Sequence, residues 1–353
     1  MSRWAVILAG GVGSRFWPLS TPARPKQLLP LLDRDPLLAN AARRMASVAE
    51  PANTLVLTNA ELRDAVARVL PALPPENVIA EPTPSGTAAA LAWAASEIVA
   101  REGADGGGAD AVMICIHADW AISDDAMFAN TLLSAAALAE SKRALVTVGI
   151  VPTRPDTGLG YLEPGDAVDG GFRVKRFIEK PDREGAKLLV ASGALWNSGI
   201  FCWHASDFLS ELRKHTPEVA TALDQHATAR ASRSKEEFFS FVRPVSVDVG
   251  LLERSDNVLA VRGEFGWDDV GTWGALRRTR ASDANGNVVS GTTHLLDSRN
   301  NVVHAEDDAV VLYGVEDLVV VSRPGLTLVT TVEKSEELKA LVDSLPAGIR
   351  DIS

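Results

Sequence analysis

The chain has 353 residues, of which 46% are hydrophobic and 23% charged, and its formal net charge is -11. That length holds a full α/β core plus a smaller appendage, since domains commonly run about 100–200 residues, and the composition excludes intrinsic disorder. The acidic balance weighs against a sequence-independent grip on nucleic acid, which needs many Lys and Arg contacts to phosphates. No apolar stretch reaches the ~20 residues of a membrane span.

The opening apolar run, residues 4–9, is too short for a signal-peptide core and lacks a basic flank and a cleavage site. A soluble, cytoplasmic protein is expected. Cys115 and Cys202 are far apart and form no metal-type spacing, so the sequence points to neither a disulfide framework nor a zinc site.

In chain order, strands are predicted at 4–9, 54–58, 78–80, 111–116 and 144–150, and helices between them at 37–48, 60–70, 87–100 and 126–139. This alternation predicts parallel strands joined by helical crossovers. The expected fold is therefore α/β, a doubly wound, mostly parallel, Rossmann-like sheet with ligands at the carboxyl ends of its strands. The glycine-rich stretch 103–109 reads as a flexible surface insertion without a functional role. After Trp273 the pattern changes to short β runs at 302–303, 309–312, 318–321 and 326–330, punctuated by Asn285-Gly286 and Pro324-Gly325. The expected division is a domain at 1–284 and a small C-terminal β domain at 285–353, closed by a helix at 335–345.

The segment Ala9-Gly10-Gly11-Val12-Gly13-Ser14-Arg15-Phe16-Trp17-Pro18-Leu19 directly follows the first strand. Glycines at 10, 11 and 13 let the backbone turn several N–H groups toward one anion, and polyphosphate is the natural guest. A dinucleotide fingerprint starting at Gly11 would need glycine where the chain has Phe16, and a Walker loop would need Gly-Lys, which the sequence lacks. A dehydrogenase is disfavoured accordingly. What the loop adds is cationic: Arg15, then Lys26 within Arg24-Pro25-Lys26-Gln27. A guanidinium and an ammonium beside a glycine nest suit a triphosphate whose charge moves onto departing pyrophosphate.

Carboxylates follow at two places. Asp119, in His117-Ala118-Asp119-Trp120, lies just past the strand predicted at 111–116, and Asp268 and Asp269 lie in Phe265-Gly266-Trp267-Asp268-Asp269-Val270-Gly271-Thr272-Trp273. One Asp from each suits Mg²⁺, which takes one or two carboxylates plus phosphate oxygens and waters. A helix cap or turn residue is the alternative reading of any single one.

The chain resembles the nucleotide-sugar pyrophosphorylase family, whose signature reads L-A-G-G-x-G-(S/T)-R-F-(W/Y)-P-L followed by R-P-K-Q. Phe16-Trp17-Pro18 and Pro25-Lys26-Gln27 resemble its mannose-1-phosphate guanylyltransferase branch. The likeness implies that Leu8, Ala9, Gly10, Gly11, Gly13, Arg15 and Lys26 bind the nucleoside triphosphate, with Arg15 and Lys26 steering pyrophosphate. It also selects the metal pair: Asp119, and Asp269 within W-x-D-V-G-(S/T)-W, with Asp268 in a variable slot. Arg15, Lys26, Asp119 and Asp269 are thus the implied catalytic set. Where the family often reads P-A-D-H, this chain has His117-Ala118-Asp119-Trp120.

Three further segments carry the likeness: Thr157-Gly158-Leu159-Gly160-Tyr161-Leu162-Glu163, Phe177-Ile178-Glu179-Lys180-Pro181 and Trp196-Asn197-Ser198-Gly199-Ile200-Phe201. They imply a sugar pocket built from Gly160, Glu179 and Asn197, with Lys180 toward the sugar phosphate. Taken alone, Glu179-Lys180 and Asn197 read as turn residues. By the same likeness Glu81, Gly86 and Thr87 fall where the base is bound; the alternative reading of Glu81 is the end of a strand before Pro82. The guanylyltransferases often have E-P-x-x-R-N-T-A there, and this chain has Ser85-Gly86 in place of Arg-Asn. Ser246-Val247-Asp248 resembles a family S-I-D stretch and receives no role.

The resemblance, spanning residues 9–273, implies GTP and mannose 1-phosphate as substrates, Mg²⁺ as cofactor, and GDP-mannose and pyrophosphate as products. It implies no nucleic-acid or membrane partner. The tail resembles a β-helix-like domain that contributes to homodimers, and the absence of a following isomerase segment predicts a single activity. The competing expectations are another sugar 1-phosphate or nucleoside triphosphate, and a non-catalytic protein that binds nucleotide-sugar.

Overall fold

The computed structural model describes residues 2–11, 13–104, 111–228 and 234–350. In chain order its first strands are β1 (Arg3–Leu8), β2 (Thr54–Asn59), β3 (Val78–Glu81), β4 (Val112–His117), the two-residue β5 (Ala121–Ile122), β6 (Leu145–Ile150), β7 (Tyr161–Val168), β8 (Gly171–Ile178), β9 (Leu195–His204), β10 (Val258–Gly263) and the two-residue β11 (Trp267–Asp268). The chain divides into two compact units. One comprises Met1–Gly10, Ala41–Ala118 and Asp124–Trp267; the other comprises Gly11–Asn40, Asp119–Ser123 and Asp268–Ser353.

The first unit is built on a nine-stranded sheet in the order β3-β2-β1-β4-β9-β6-β10-β8-β7. The pairings among β1, β2, β3 and β4 are parallel, as is that of β6 with β10. The departures from an all-parallel sheet are β9, antiparallel to β4 and β6, and the edge pair β8 and β7, with β8 antiparallel to both β10 and β7. All ten residues of β9 are buried, which is what a central strand covered on both faces requires. Trp203 and Phe208 stack with ring centroids 4.5 Å apart, inside the core that also takes Ala88, Leu91 and Ile98 from the helix Thr87–Ala104.

Most predicted helices form with shifted ends. Residues 60–70 split into a 3-10 turn Ala60–Leu62 and an α-helix Arg63–Val69, because the Asn59 side chain accepts the Leu62 N–H and starts the turn early. The helix expected to end at 100 runs to Ala104, so Gly103 and Ala104 belong to it; residues 105–109 of the expected insertion lie outside the described residues. No described helix is long and apolar enough to cross a membrane.

The second unit contains β12 (Val288–Ser290), β13 (Thr293–Leu296), β14 (Val302–Ala305), β15 (Val310–Tyr313), β16 (Leu318–Arg323) and β17 (Leu326–Thr331). β12, β14 and β16 stack in parallel with β17 antiparallel at the edge, while β13 and β15 pair in parallel. Successive coils of this β-helix-like stack are tied by buried asparagines. Asn301 donates from its backbone N–H and Nδ2 to Asn287 Oδ1 at 3.0 Å each, and its own Oδ1 accepts the Leu318 N–H at 2.9 Å. Each buried polar group is thereby satisfied by the next coil. The expected closing helix is present as a 3-10 turn Lys334–Glu337 leading into Leu338–Ser344.

The early loop is part of the same hydrophobic core as this stack. Phe16, Trp17, Leu19 and Leu29 pack in one cluster with Val270, Trp273, Val302 and Val319. Two polar ties reinforce it: Arg323 Nη1 donates to the Pro18 carbonyl at 2.9 Å, and Arg24 pairs with Glu306 at 3.1 Å.

Candidate active site

In the second unit three of the four predicted catalytic residues, Lys26, Asp119 and Asp269, meet at one ammonium group. The Lys26 side chain is only 6% exposed, and its Nζ donates to Asp119 Oδ2 at 2.9 Å and to the Asp269 carbonyl at 2.8 Å. It also lies 5.8 Å from the centre of the Phe16 ring, a contact that favours a cation. Burying an ammonium is costly without such partners, and the geometry supplies a carboxylate, a carbonyl and a π face together.

Local backbone makes this possible. Gly13 has φ +65°, the left-handed region, and a β-carbon there would fall 2.3 Å from Lys26 Cβ. Gly271 acts similarly beneath Asp269: a β-carbon would lie 2.7 Å from Asp269 Oδ2 and 3.3 Å from Arg15 Nη1. Arg15 is exposed, and Gly11 has open space where a side chain would project. Asp268 is used differently. It accepts from Arg278 Nε at 2.8 Å and Nη2 at 3.2 Å and caps its own turn through the Val270 N–H at 2.9 Å.

In the first unit, Gly10 and Glu81 stand at the carboxyl ends of β1 and β3, where open α/β sheets place ligands. A β-carbon on Gly10 would be 3.8 Å from Glu81 Oε1. Burial pushes the Glu81 carboxyl up to about 7, with the Ser85 backbone N–H pulling it back in part. Leu8 and Ala9 are buried with their side chains in the core, so any nucleotide contact from them is through backbone. Gly86 has φ +84°, and a β-carbon there would meet the Val245 carbonyl oxygen at 2.3 Å. The Thr87 hydroxyl is already engaged, accepting the Val247 N–H at 2.9 Å.

A second cluster in this unit joins the predicted sugar residues. The Gly160 carbonyl accepts the Asn197 N–H at 2.8 Å, and a β-carbon on Gly160 would lie 2.6 Å from Glu179 Oε2. Glu179 pairs with Lys180 at 2.7 Å; the Lys180 side chain is 61% exposed and its φ is +44°. Asn197 is held on both sides. Its Oδ1 accepts from Thr147 Oγ1 at 3.1 Å and the Gly199 N–H at 3.3 Å, while its Nδ2 donates to Asp248 Oδ1 at 2.9 Å.

Asp248 is the residue that sequence reasoning leaves without a role. It opens a π-helix, Asp248–Leu252, a geometry that recurs at functional sites. Burial and then the Glu179 charge raise its carboxyl to about 6. The S-I-D-like stretch is the available signal, but nothing in it points to Asn197, 51 residues earlier.

Comparison with known proteins agrees with both parts of the chain. Residues 4–286 match the nucleotidyl transferase family, and residues 283–345 match the MannoseP isomerase/GMP-like beta-helix domain. A mannose-1-phosphate guanylyltransferase of Escherichia coli is 36% identical, the match covering 98% of this chain and 74% of that protein. A mannose-1-phosphate guanylyltransferase of Sinorhizobium fredii is 34% identical, covering 97% of this chain and 67% of that one. Among solved structures, one titled mannose-1-phosphate geranyltransferase, from Thermus thermophilus, superposes with a TM-score of 0.87 at 32% identity, covering 97% of this chain and 99% of that one.

Proposed function

This chain belongs to the nucleotidyl transferase family, and we propose that it transfers GMP from GTP to mannose 1-phosphate, releasing pyrophosphate. The relatives' names support that pairing of substrates. The observation that carries the reading is Lys26, a buried ammonium bonded at once to Asp119 and to the Asp269 backbone. That contact joins the lysine of the early loop to residues from both carboxylate motifs.

In the proposed reaction an oxygen of the sugar phosphate attacks the α-phosphorus of GTP, the bond to the β-phosphate oxygen breaks, and pyrophosphate leaves. No protein nucleophile is needed, because a phosphate monoester with a second pKa of about 6 is mostly dianionic near neutrality. The protein's work is to hold two anions in line and to balance charge as it moves to the leaving group. Arg15 and Lys26 serve the pyrophosphate, and Lys180 the sugar phosphate. Glu81 reads the base: guanine presents N1–H and N2–H donors side by side, and an ionised carboxylate is an acceptor at both oxygens.

Asp119 and Asp269 would hold Mg²⁺. Among the described residues no group of three or more His, Cys, Asp or Glu side chains is placed to hold a metal ion, and two carboxylates completed by phosphate oxygens and waters are an ordinary magnesium set. Lys26, bonded to Asp119 Oδ2 and to the Asp269 backbone carbonyl, brings the two residues together, and the bare Gly271 lies beneath the Asp269 carboxylate, so the pair fits that set. When bound, the cation supplies charge neutralisation on the phosphates.

A panel of GTP, ATP, UTP and TTP against mannose 1-phosphate and glucose 1-phosphate, read by pyrophosphate release with Mg²⁺ present, tests the reading. GTP with mannose 1-phosphate should give the highest kcat/KM. A higher value for any other pair would replace the assigned substrates, and no release from any pair would remove the enzymatic reading.

A further inference from the structure

We infer that Asp248 is a positioning residue for the sugar acceptor, acting through Asn197. The inference rests on the sugar-phosphate reading of the Gly160, Glu179 and Asn197 cluster and adds to it a residue that no motif assigns.

A carboxamide has two ends, one accepting and one donating, and an unconstrained amide presents either to a ligand. At Asn197 the choice is closed. The Gly199 N–H donates to Oδ1, and the fully buried Thr147 Oγ1, whose single hydrogen is shared with the Ile200 carbonyl, lies 3.1 Å from it, so that end faces the strand network. Nδ2 has two N–H bonds, and Asp248 Oδ1 takes one at 2.9 Å. With one hydrogen fixed and the group planar, the direction of the other is fixed too. Asp248 thereby converts a rotatable amide into a donor aimed in a single direction.

The surroundings explain why a carboxylate does this work. Asp248 lies within electrostatic reach of the Glu179 carboxylate and the Lys180 ammonium, and Glu179 in turn has its backbone N–H on Glu253 Oε1 at 3.0 Å. A sugar ring entering here meets a hydroxyl acceptor in Glu179 and one oriented donor in Asn197. An acceptor and a donor at fixed positions are what discrimination between hydroxyl epimers demands, because a hydroxyl moved from its partner leaves a buried group unpaired. The phosphate and the nucleotide make no demand on this amide. The expected signature is therefore a selective loss for the sugar substrate.

Steady-state kinetics and calorimetric titration of Asp248→Ala, Asp248→Asn, Asn197→Ala and the Asp248→Ala/Asn197→Ala double variant test the proposal. Asp248→Ala should raise KM for the sugar phosphate about tenfold or more, the effect of leaving a buried donor unsatisfied, with KM for GTP within about twofold of the parent. Asp248→Asn keeps an acceptor oxygen for Nδ2 and should recover most of that loss. In the double variant the losses should fall short of additive, since both act on one hydrogen bond. Equal increases in KM for both substrates, or additive losses, would assign Asp248 a merely structural part and overturn the inference. The substrate reading is judged separately on the unsubstituted protein: if it takes a different sugar phosphate, the same variants are titrated with that one, and the Asp248 result stands or falls by it.

Discussion

Gly13 and Lys26 are packed so closely that a β-carbon on residue 13 would fall 2.3 Å from Lys26 Cβ and 3.3 Å from its backbone nitrogen. The clash is with the root of the lysine side chain, which has no freedom to move aside. Residue 13 is also at φ +65°, where an L side chain costs about 1 kcal/mol before any contact is counted. Gly13→Ala is therefore expected to displace Lys26 from Asp119 and to lower kcat at least about 100-fold, as loss of a charge-stabilising donor does. Lys26→Gln should reach a comparable kcat without the backbone strain. Comparing kcat and melting temperature of the two variants checks the assignment: similar kcat, with the lower melting temperature for Gly13→Ala.

The metal pair makes a different demand. Asp119→Asn and Asp269→Asn preserve size while removing a charge each, so the fold should hold and turnover should fall by about 100-fold or more. Chelation of divalent cations should abolish pyrophosphate release by the unsubstituted protein, and added Mg²⁺ should restore it. Activity that persists unchanged in chelator would count against both aspartates as metal ligands. Asp268→Asn serves as the contrast, because that side chain is committed to Arg278 and the Val270 N–H; it is expected to lower stability with less effect on metal dependence.

How much of this is legible in the sequence depends on the range of the interaction. The glycine loop and the strand-end positions of Glu81 and Asp119 are local features, and turn chemistry places them directly. Strand β9 is readable only as a pocket wall, since its insertion antiparallel between β4 and β6 is decided by partners 46 or more residues away. The Asn197–Asp248 bond belongs to the same class. Lys26 stands out for its charge, but its bond to the Asp269 backbone is invisible to any reading of side-chain types. The helix Thr87–Ala104 outruns its predicted end because glycine reads as a breaker, whereas an apolar face anchored through Ala94, Ala95 and Ile98 carries the helix past Gly103.

Glu81 gives the reaction a pH dependence with a defined sign. Its folded pKa of about 7 lies above the ordinary 4.5, so burial disfavours the ionised form. The associated stability is complete below pH 4.5 and declines as pH rises toward 7, where the buried carboxyl finally ionises. Guanine binding acts in the opposite direction, because only the carboxylate accepts from both N1–H and N2–H. KM for GTP should therefore fall as pH rises from about 6 to about 8. The triphosphate titrates as well, so the same series is run on Glu81→Gln, which has no charge to lose. Parallel profiles for the two proteins would remove Glu81 from the base site; a steeper fall for the unsubstituted protein is expected.

Gly160→Ala separates the sugar site from the rest. The added methyl would come 2.6 Å from Glu179 Oε2 and 3.2 Å from Phe177 Cζ. Unlike the contact at Gly13, the nearest atom is the far end of a carboxylate side chain, which can swing away by rotamer change. The fold should survive, with a melting temperature within a few degrees of the parent, since a loss of about 1 kcal/mol shifts a chain of this size only slightly. Glu179, however, must leave its place beside Gly160 and its pairing with Lys180. KM for mannose 1-phosphate is expected to rise about tenfold, by loss of one charged hydrogen bond, while KM for GTP stays level. A matching rise for GTP would mean that the glycine supports the nucleotide instead, and the division of labour between Glu179 and Glu81 would have to be redrawn.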